Sequence, residues 1–305
     1  MMKIFGHKNP DTDTVTSAIV LADLQNALGN PATAYRLGEL NKETAFALDY
    51  FKVEAPELLT SVNDEDTVIL VDHNEFAQSV DGIEMATPYM VVDHHRVSGF
   101  NSAEPLFFRV EPVGCTATIL YKMYVENDIV IKPEIAGLMA SAIVSDTLGF
   151  KSPTCTNLDE EACLKLAEIA NIDIETYGLE MLKAGTDLSD LSVNQMLTID
   201  AKVFTMNGLT AEIAQISTID IASVMERQAD IEAEMNAIIA EKSLDLFMCV
   251  ITDVMNSNSQ AIALGDRTDL VEKAFDATLE NNSTFLPRVV SRKKQIVPPL
   301  EKASI

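Results

Sequence analysis

Two apolar runs in this chain each end in an acid followed by histidine. Thr67-Val-Ile-Leu-Val71 runs into Asp72-His73-Asn74-Glu75, and Pro88-Tyr-Met-Val-Val92 runs into Asp93-His94-His95. Short continuous runs of this kind, rich in β-branched residues, read as strands buried on both faces, the form found in parallel sheets. Parallel strands need crossovers between them, and the surrounding sequence supplies them. Lys3-Ile-Phe5 and Ala32-Thr-Ala-Tyr35 are predicted strands, and Thr14 to Leu28 and Thr44 to Phe51 carry helical apolar spacing. The expected fold is α/β, with an N-terminal doubly wound, mainly parallel sheet. Its carboxyl edge, where both Asp-His tips fall, is where such sheets place their ligands.

All four histidines lie between positions 7 and 95, and each keeps company with aspartate: His7 with Asp11 and Asp13, His73 with Asp72, His94 and His95 with Asp93. Further on, Cys115 to Val125 and Pro133 to Val144 are predicted helices, the second delivering Ser145-Asp146-Thr147 at its end. Carboxylates with a few imidazoles suit Mn²⁺, Co²⁺, Mg²⁺ or Zn²⁺ and not a soft thiolate site. His7, Asp11, Asp13, Asp72, Asp93, His94 and Asp146 are too many ligands for one ion, but suit two ions sharing a carboxylate. Such a pair, about 3.5–4 Å apart, activates water and clamps an in-line phosphoryl displacement. Some of these positions have plainer readings. Asp13 and Asp146 suit helix caps. His73 suits a structural role, and Asp93 suits orienting a neighbouring histidine as well as ligation. Glu111, Thr116 and Thr118 read as loop and helix-start residues.

The formal net charge is −25, from 47 acids against 22 bases, which repels nucleic acid and offers no polybasic membrane patch. Yet five of those bases, Arg288, Arg292, Lys293, Lys294 and Lys302, fall in the last 18 residues. A charge run is often a solvated tail. Joined to a metal cluster, Ser291-Arg-Lys-Lys-Gln295 instead suits phosphate binding, Arg as a bidentate fork and Lys as a point charge. No apolar run is long enough to cross a bilayer, and Met1-Met-Lys-Ile-Phe5 lacks a signal-peptide core, so a cytoplasmic protein is expected. Cys115, Cys155, Cys163 and Cys249 form no C-x-x-C pair and read as reduced, mostly buried thiols.

The pattern changes after a polar stretch, Gly185 to Ser192. Domains are expected at 1–186 (metal-binding) and 194–305 (substrate-binding), with 187–193 as linker. Asn157 with Glu160 reads as a capping box. Beyond the linker, Ala201 to Met206 and Leu209 to Gln215 flank Asn207-Gly208, a hairpin signal. Ile219 to Lys242 reads as one long amphipathic helix, Asp245 to Asp253 and Gln260 to Gly265 as strands, and Leu270 to Ala277 as a helix. This second, smaller domain is α+β in character.

Gly6-His-Lys-Asn-Pro-Asp-Thr-Asp13, Val71-Asp-His-Asn-Glu75, Val92-Asp-His-His-Arg96, Ser145-Asp-Thr147 and Ser291-Arg-Lys-Lys-Gln295 together resemble the motif set of the family II inorganic pyrophosphatases, in the DHH phosphoesterase superfamily. The first four motifs indicate the superfamily; the last narrows it to pyrophosphatase. The resemblance implies a DHH-type domain followed by a DHHA2-type domain, with the active site in the interdomain cleft. It implies hydrolysis of pyrophosphate to two orthophosphates by a metal-bridging hydroxide. His7, Asp11 and Asp72 would hold one metal, and Asp13, Asp72, His94 and Asp146 the other, with Asp72 shared. His95 would contact substrate and help protonate the leaving phosphate, while Lys202, Arg292 and Lys293 bind the phosphates. The implied cofactors are two Mn²⁺ per subunit, replaceable by Co²⁺, with Mg²⁺ accompanying the substrate, and the implied assembly is a homodimer through the N-terminal domain. Two rivals stand beside this reading: another DHH-type phosphoesterase acting on oligonucleotides or polyphosphate, and a non-catalytic metal- or phosphate-binding regulator. Against the first, the chain has no Gly-Gly pair and no histidine after His95.

Overall fold

The computed structural model describes all 305 residues, which divide into two compact units, Met1–Gly185 and Thr186–Ile305. The first contains β1 (Met2–Phe5), α1 (Thr12–Ala27), β2 (Ala32–Arg36), α2 (Lys42–Tyr50), β3 (Glu57–Leu58), β4 (Thr67–Val71), β5 (Thr87–Asp93), β6 (Phe107–Val110), α3 (Thr116–Glu126), α4 (Pro133–Thr147), α5 (Asn157–Ala170) and α6 (Ile174–Gly185). Its strands are ordered β3-β2-β1-β4-β5-β6 and every neighbouring pair is parallel. This is the doubly wound order expected from the apolar runs. Residues 68–71 are fully buried, as are Ile4, Phe5, Val91 and Val92, so the central strands are covered on both faces. Phe5, Val68, Leu70 and Val91 form one core with Val62, Val80 and Ile83. On the helical side, α1 packs on α3 and α4. The direction of winding reverses between β1 and β4, so a crevice opens where their carboxyl ends part company.

Three local expectations change here. Helix α1 begins at Thr12, with the side chain of Asp11 accepting from the Thr14 N–H at 3.0 Å. Asp11 therefore caps the helix, and Asp13 lies in its first turn instead of in the loop. The capping box of α5 is Thr156 with Asp159, one residue before the predicted Asn157 and Glu160.

The second unit contains α7 (Val193–Thr198), β7 (Ala201–Met206), β8 (Leu209–Thr218), α8 (Ile221–Met225), α9 (Gln228–Lys242), β9 (Leu246–Asp253), β10 (Asn258–Leu264), α10 (Asp269–Phe275), β11 (Ser283–Leu286) and α11 (Val297–Ala303). Its sheet runs β11-β10-β9-β8-β7, with β8 and β9 parallel and the other pairs antiparallel. The β7–β8 hairpin turns at Asn207 and Gly208, both left-handed (φ 50° and 85°), as a two-residue turn of this type requires. Alternation along β9 feeds two cores. Phe247, Cys249 and Ile251 pack with Ile231 and Met235 of α9, while Met248 and Val250 pack with Leu270 of α10 and Leu300 of α11.

The predicted helix over 219–242 is two helices. Between α8 and α9, Arg227 turns its guanidinium onto the Leu188 and Leu191 carbonyls, at 3.3 and 3.0 Å. No proline or glycine marks that break; the tertiary contact imposes it. The basic C-terminus is ordered. Ser291 caps a π-turn over Arg292–Ile296 that continues into α11. Pro298 and Pro299 sit in the first turn of α11, where the fixed φ of proline suits a helix start.

Candidate metal centre

Asp72 follows β4 at the crevice between β1 and β4, and its backbone is left-handed (φ 58°). For a non-glycine residue that conformation is uncommon, although aspartate tolerates it better than most. It turns the carboxylate back across the sheet edge, where each oxygen faces a different histidine. Oδ2 lies 3.5 Å from His7 Nε2, and Oδ1 lies 3.3 Å from His94 Nε2. His7 comes from the loop after β1 and also approaches Asp11 Oδ2 at 3.5 Å. His94 comes from the end of β5 and approaches Asp146 Oδ2, from the last turn of α4, at 3.8 Å. His94 Nδ1 donates to the Val113 carbonyl at 3.1 Å, which fixes the ring and leaves Nε2 for the centre. Asp13 is fully buried beside Asp146 and Cys115, with ligand atoms within 4.8 Å of one another. The predicted residues His7, Asp11, Asp13, Asp72, His94 and Asp146 thus meet at one edge.

The other predicted positions fall as follows. His95 is half exposed beside the cluster, with Nδ1 3.0 Å from Asp93 Oδ1 and 3.6 Å from Asp72 Oδ1. Asp93 also accepts from the His95 N–H at 2.9 Å and from Asn74 Nδ2 at 2.6 Å, so it orients that histidine. His73 is buried with both ring nitrogens engaged, at 2.9 Å from the Val71 carbonyl and 3.1 Å from the Ser79 hydroxyl. It has a structural role. In the second unit, Lys202 and Lys293 are exposed on a cavity of about 490 Å³ that Arg292 also lines. Arg292 itself is buried. Its guanidinium donates to the Asp200 and Ile213 carbonyls (2.6 and 3.2 Å) and to the Asp200 carboxylate (2.5 Å).

Residues outside the motifs hold the ligands. Thr14 Oγ1 donates to Asp72 Oδ2 (2.6 Å), and Ser17 Oγ donates to Asp13 Oδ1 (2.6 Å). Thr116, which reads in sequence as an ordinary helix start, donates its N–H to Asp13 Oδ2 (2.7 Å) and its hydroxyl to Asp72 Oδ1 (3.3 Å). No local signal separates such hydroxyls from ordinary helix-start residues. Cys115, in sequence an ordinary buried thiol, lies there too. Burial, then the charges of Asp13 and Asp146, push it well above its ordinary range, which keeps it protonated beside the cluster.

The electrostatics are those of a site built for cations. Burial alone would raise the Asp72 carboxyl, but hydrogen bonds with His7 and His94 overcome it and hold the group well below the usual range. Asp13 is pushed up to about 6 by burial and by the charge of Asp72. Burial and then Asp13 and Asp72 push Asp146 well above the ordinary range. Against the effect of burial, Asp11 and Asp72 raise His7 to about 10, and Asp72 and Asp13 raise His94 to about 9. Asp146 Oδ2 is buried with no hydrogen-bond partner. Crowded carboxylates, imidazoles that hold protons for want of another cation, and an orphaned buried oxygen all fit divalent metal. The oxygen and nitrogen donor set suits Mn²⁺.

Residues 2–143 match the model of the DHH family, N-terminal domain, and residues 179–303 match the DHHA2 domain. A Bacillus subtilis protein named manganese-dependent inorganic pyrophosphatase is 57% identical over 301 residues, spanning 98% of this chain and 97% of its own. A Bacillus pumilus relative named probable manganese-dependent inorganic pyrophosphatase is 58% identical over 98% of each chain. The solved structure of a family II inorganic pyrophosphatase from Methanococcus jannaschii is similar with a TM-score of 0.64 and 42% identity, over 99% of each chain. The chain belongs to the family of manganese-dependent inorganic pyrophosphatases.

Proposed function

We propose that this chain hydrolyses inorganic pyrophosphate to two orthophosphates, with Mn²⁺ as its resident metal. One observation carries the reading: the two oxygens of a single buried carboxylate, Asp72, face two histidines from different strands. His7, Asp11 and Asp72 would hold one ion, and Asp13, Asp72, His94 and Asp146 the other. When bound, such a pair lowers the pKa of a shared water and withdraws charge from both oxygens of an in-line displacement. The remaining work falls to side chains. Asp93 fixes His95 through Nδ1 and raises its pKa, which leaves the protonated Nε2 to meet the substrate and supply a proton to the leaving phosphate. Lys202 and Lys293 offer exposed charge to the phosphate oxygens, and Arg292 joins them when its guanidinium is released from Asp200. The division of labour is residues 1–186 for metal, 187–193 as linker and 194–305 for substrate.

Co²⁺ would replace Mn²⁺ at the same oxygen and nitrogen ligands, and Mg²⁺ would accompany the pyrophosphate. The proposed location is the cytoplasm, where free thiols such as the four here persist. The proposed assembly is a homodimer through the N-terminal domain. Strand β6 ends the parallel sheet with Phe107 46% and Phe108 36% exposed, an apolar edge suited to a second copy. Sedimentation of the purified protein tests that point.

Activity is tested by phosphate release from metal-stripped protein resupplied with Mn²⁺ and Mg²⁺. Pyrophosphate should be cleaved selectively over tripolyphosphate, a nucleoside triphosphate and short oligonucleotides. Preference for any of those would keep the metal centre and withdraw the pyrophosphatase assignment.

A further inference from the structure

We propose that Asp159, remote from every motif, positions one half of the metal centre by holding the strap formed by residues 113–116. The inference rests on the two-metal reading. Asp159 is fully buried at the third position of α5. Its carboxyl accepts four hydrogen bonds, all from neutral donors. Oδ2 takes the N–H of Gly114 (2.8 Å) and the N–H and hydroxyl of Thr156 (2.8 and 2.7 Å), while Oδ1 takes the hydroxyl of Thr118 (2.6 Å). Capping of α5 accounts for the Thr156 bonds. It does not account for the other two, which tie α5 to the strap and to the start of α3, 45 and 41 residues away.

The strap also reaches the metal centre directly. The Val113 carbonyl fixes His94 through Nδ1, and the Thr116 N–H and hydroxyl reach Asp13 and Asp72. Four consecutive residues therefore touch three of the four ligands proposed for the second ion. Two ligands of the first ion, His7 and Asp11, take no hydrogen bond from the strap; they are set by the β1 loop and by the α1 cap. The fit at Gly114 is close. A Cβ there would lie 2.9 Å from Asp159 Oδ2 and 3.0 Å from Thr147 Cγ2, so the carboxyl seats against bare backbone. Alanine at 159 would remove every acceptor and leave the Gly114 N–H and the Thr118 hydroxyl without this partner, and the strap would have to move; an amide could instead keep its oxygen on the N–H groups and turn its NH2 to the Thr118 hydroxyl, which can accept. Ligands that lose the hydrogen bond orienting them lose about 10–100-fold in metal affinity.

The test is a Mn²⁺ titration of metal-stripped wild type and D159A by calorimetry, with thermal melts of both. Wild type should show two binding steps. D159A should leave one step unchanged and weaken the other about 10–100-fold, and His7→Ala should abolish the step that D159A spares. Thr118→Val, which removes only the partner of Oδ1, should shift the same step in the same direction and carries the test if D159A does not fold. Two unchanged steps in a folded variant would overturn the proposal. So would parallel weakening of both steps with a lowered Tm, the signature of a merely structural residue. Fewer than two steps in wild type would overturn the two-metal reading itself, and this proposal with it.

Discussion

Asp72 carries an unusual share of the site, because its two oxygens serve two half-sites and its left-handed backbone aims them. Asp72→Ala should therefore lower pyrophosphate turnover by at least about 1,000-fold, equivalent to about 4 kcal/mol of barrier. Wild-type-like turnover would remove the shared-carboxylate assignment. The neighbouring titrations give a second expectation at this scale. His7 and His94, raised to about 10 and about 9, are protonated at neutral pH in the metal-free protein. A metal takes imidazole only as the neutral base, so binding must expel those protons. The sign follows: affinity falls as pH drops below about 9 and levels off above about 10. Calorimetry at pH 7 in buffers of different ionisation enthalpy should report the release of at least about two protons per fully loaded site, one from each histidine. A heat independent of buffer would mean that the histidines are not ligands.

Between residue and molecule, helix α4 has to bring Asp146 to the sheet edge, and it does so against an aromatic cluster. Gly137 lies in its second turn, and a Cβ there would fall 2.2–2.5 Å from three ring atoms of Phe51. That ring is itself held by Tyr50 and Tyr177, at centroid distances of 5.0 and 5.3 Å. Gly137→Ala would gain about 1 kcal/mol of helix propensity but overpack the cluster by about 1–3 kcal/mol or more. A rigid ring at such distances makes the second effect win, so the variant should melt at lower temperature; an unchanged or raised Tm would show that the cluster yields. Elements of this kind divide into those legible in sequence and those not. The buried strands β4 and β5 announced themselves by composition, and their polar tips announced the metal edge. The break at Arg227, the strand Ser283–Leu286 and the helix Val297–Ala303 did not. The first depends on carbonyls more than thirty residues away, and the last carries two prolines in its first turn that read locally as breakers. In the same way His7, Asp72 and His94 could be picked out by residue type and spacing. Thr116 and Asp159 could not, because their roles exist only once distant segments meet.

Each of the two units has a sheet and core of its own, and each is long enough to bury one independently. The residues proposed for metal all lie in Met1–Gly185, and the cations proposed for phosphate all lie in Thr186–Ile305. The units should therefore be separable by function as well as by contact. Expressed alone, Met1–Gly185 should fold and bind Mn²⁺ in the same two steps as the full chain. Its pyrophosphate hydrolysis should fall by more than about 100-fold, since loss of even one preorganised donor to transition-state charge costs about that much. Thr186–Ile305 alone should fold, with strand signatures in circular dichroism, and bind no Mn²⁺ tightly. If the first fragment hydrolysed pyrophosphate at nearly the full rate, Lys202, Arg292 and Lys293 would have no share in catalysis and the basic C-terminus would return to a solvated surface. If it folded but bound no Mn²⁺, the metal centre would depend on residues of the second unit that its own side-chain geometry does not call for.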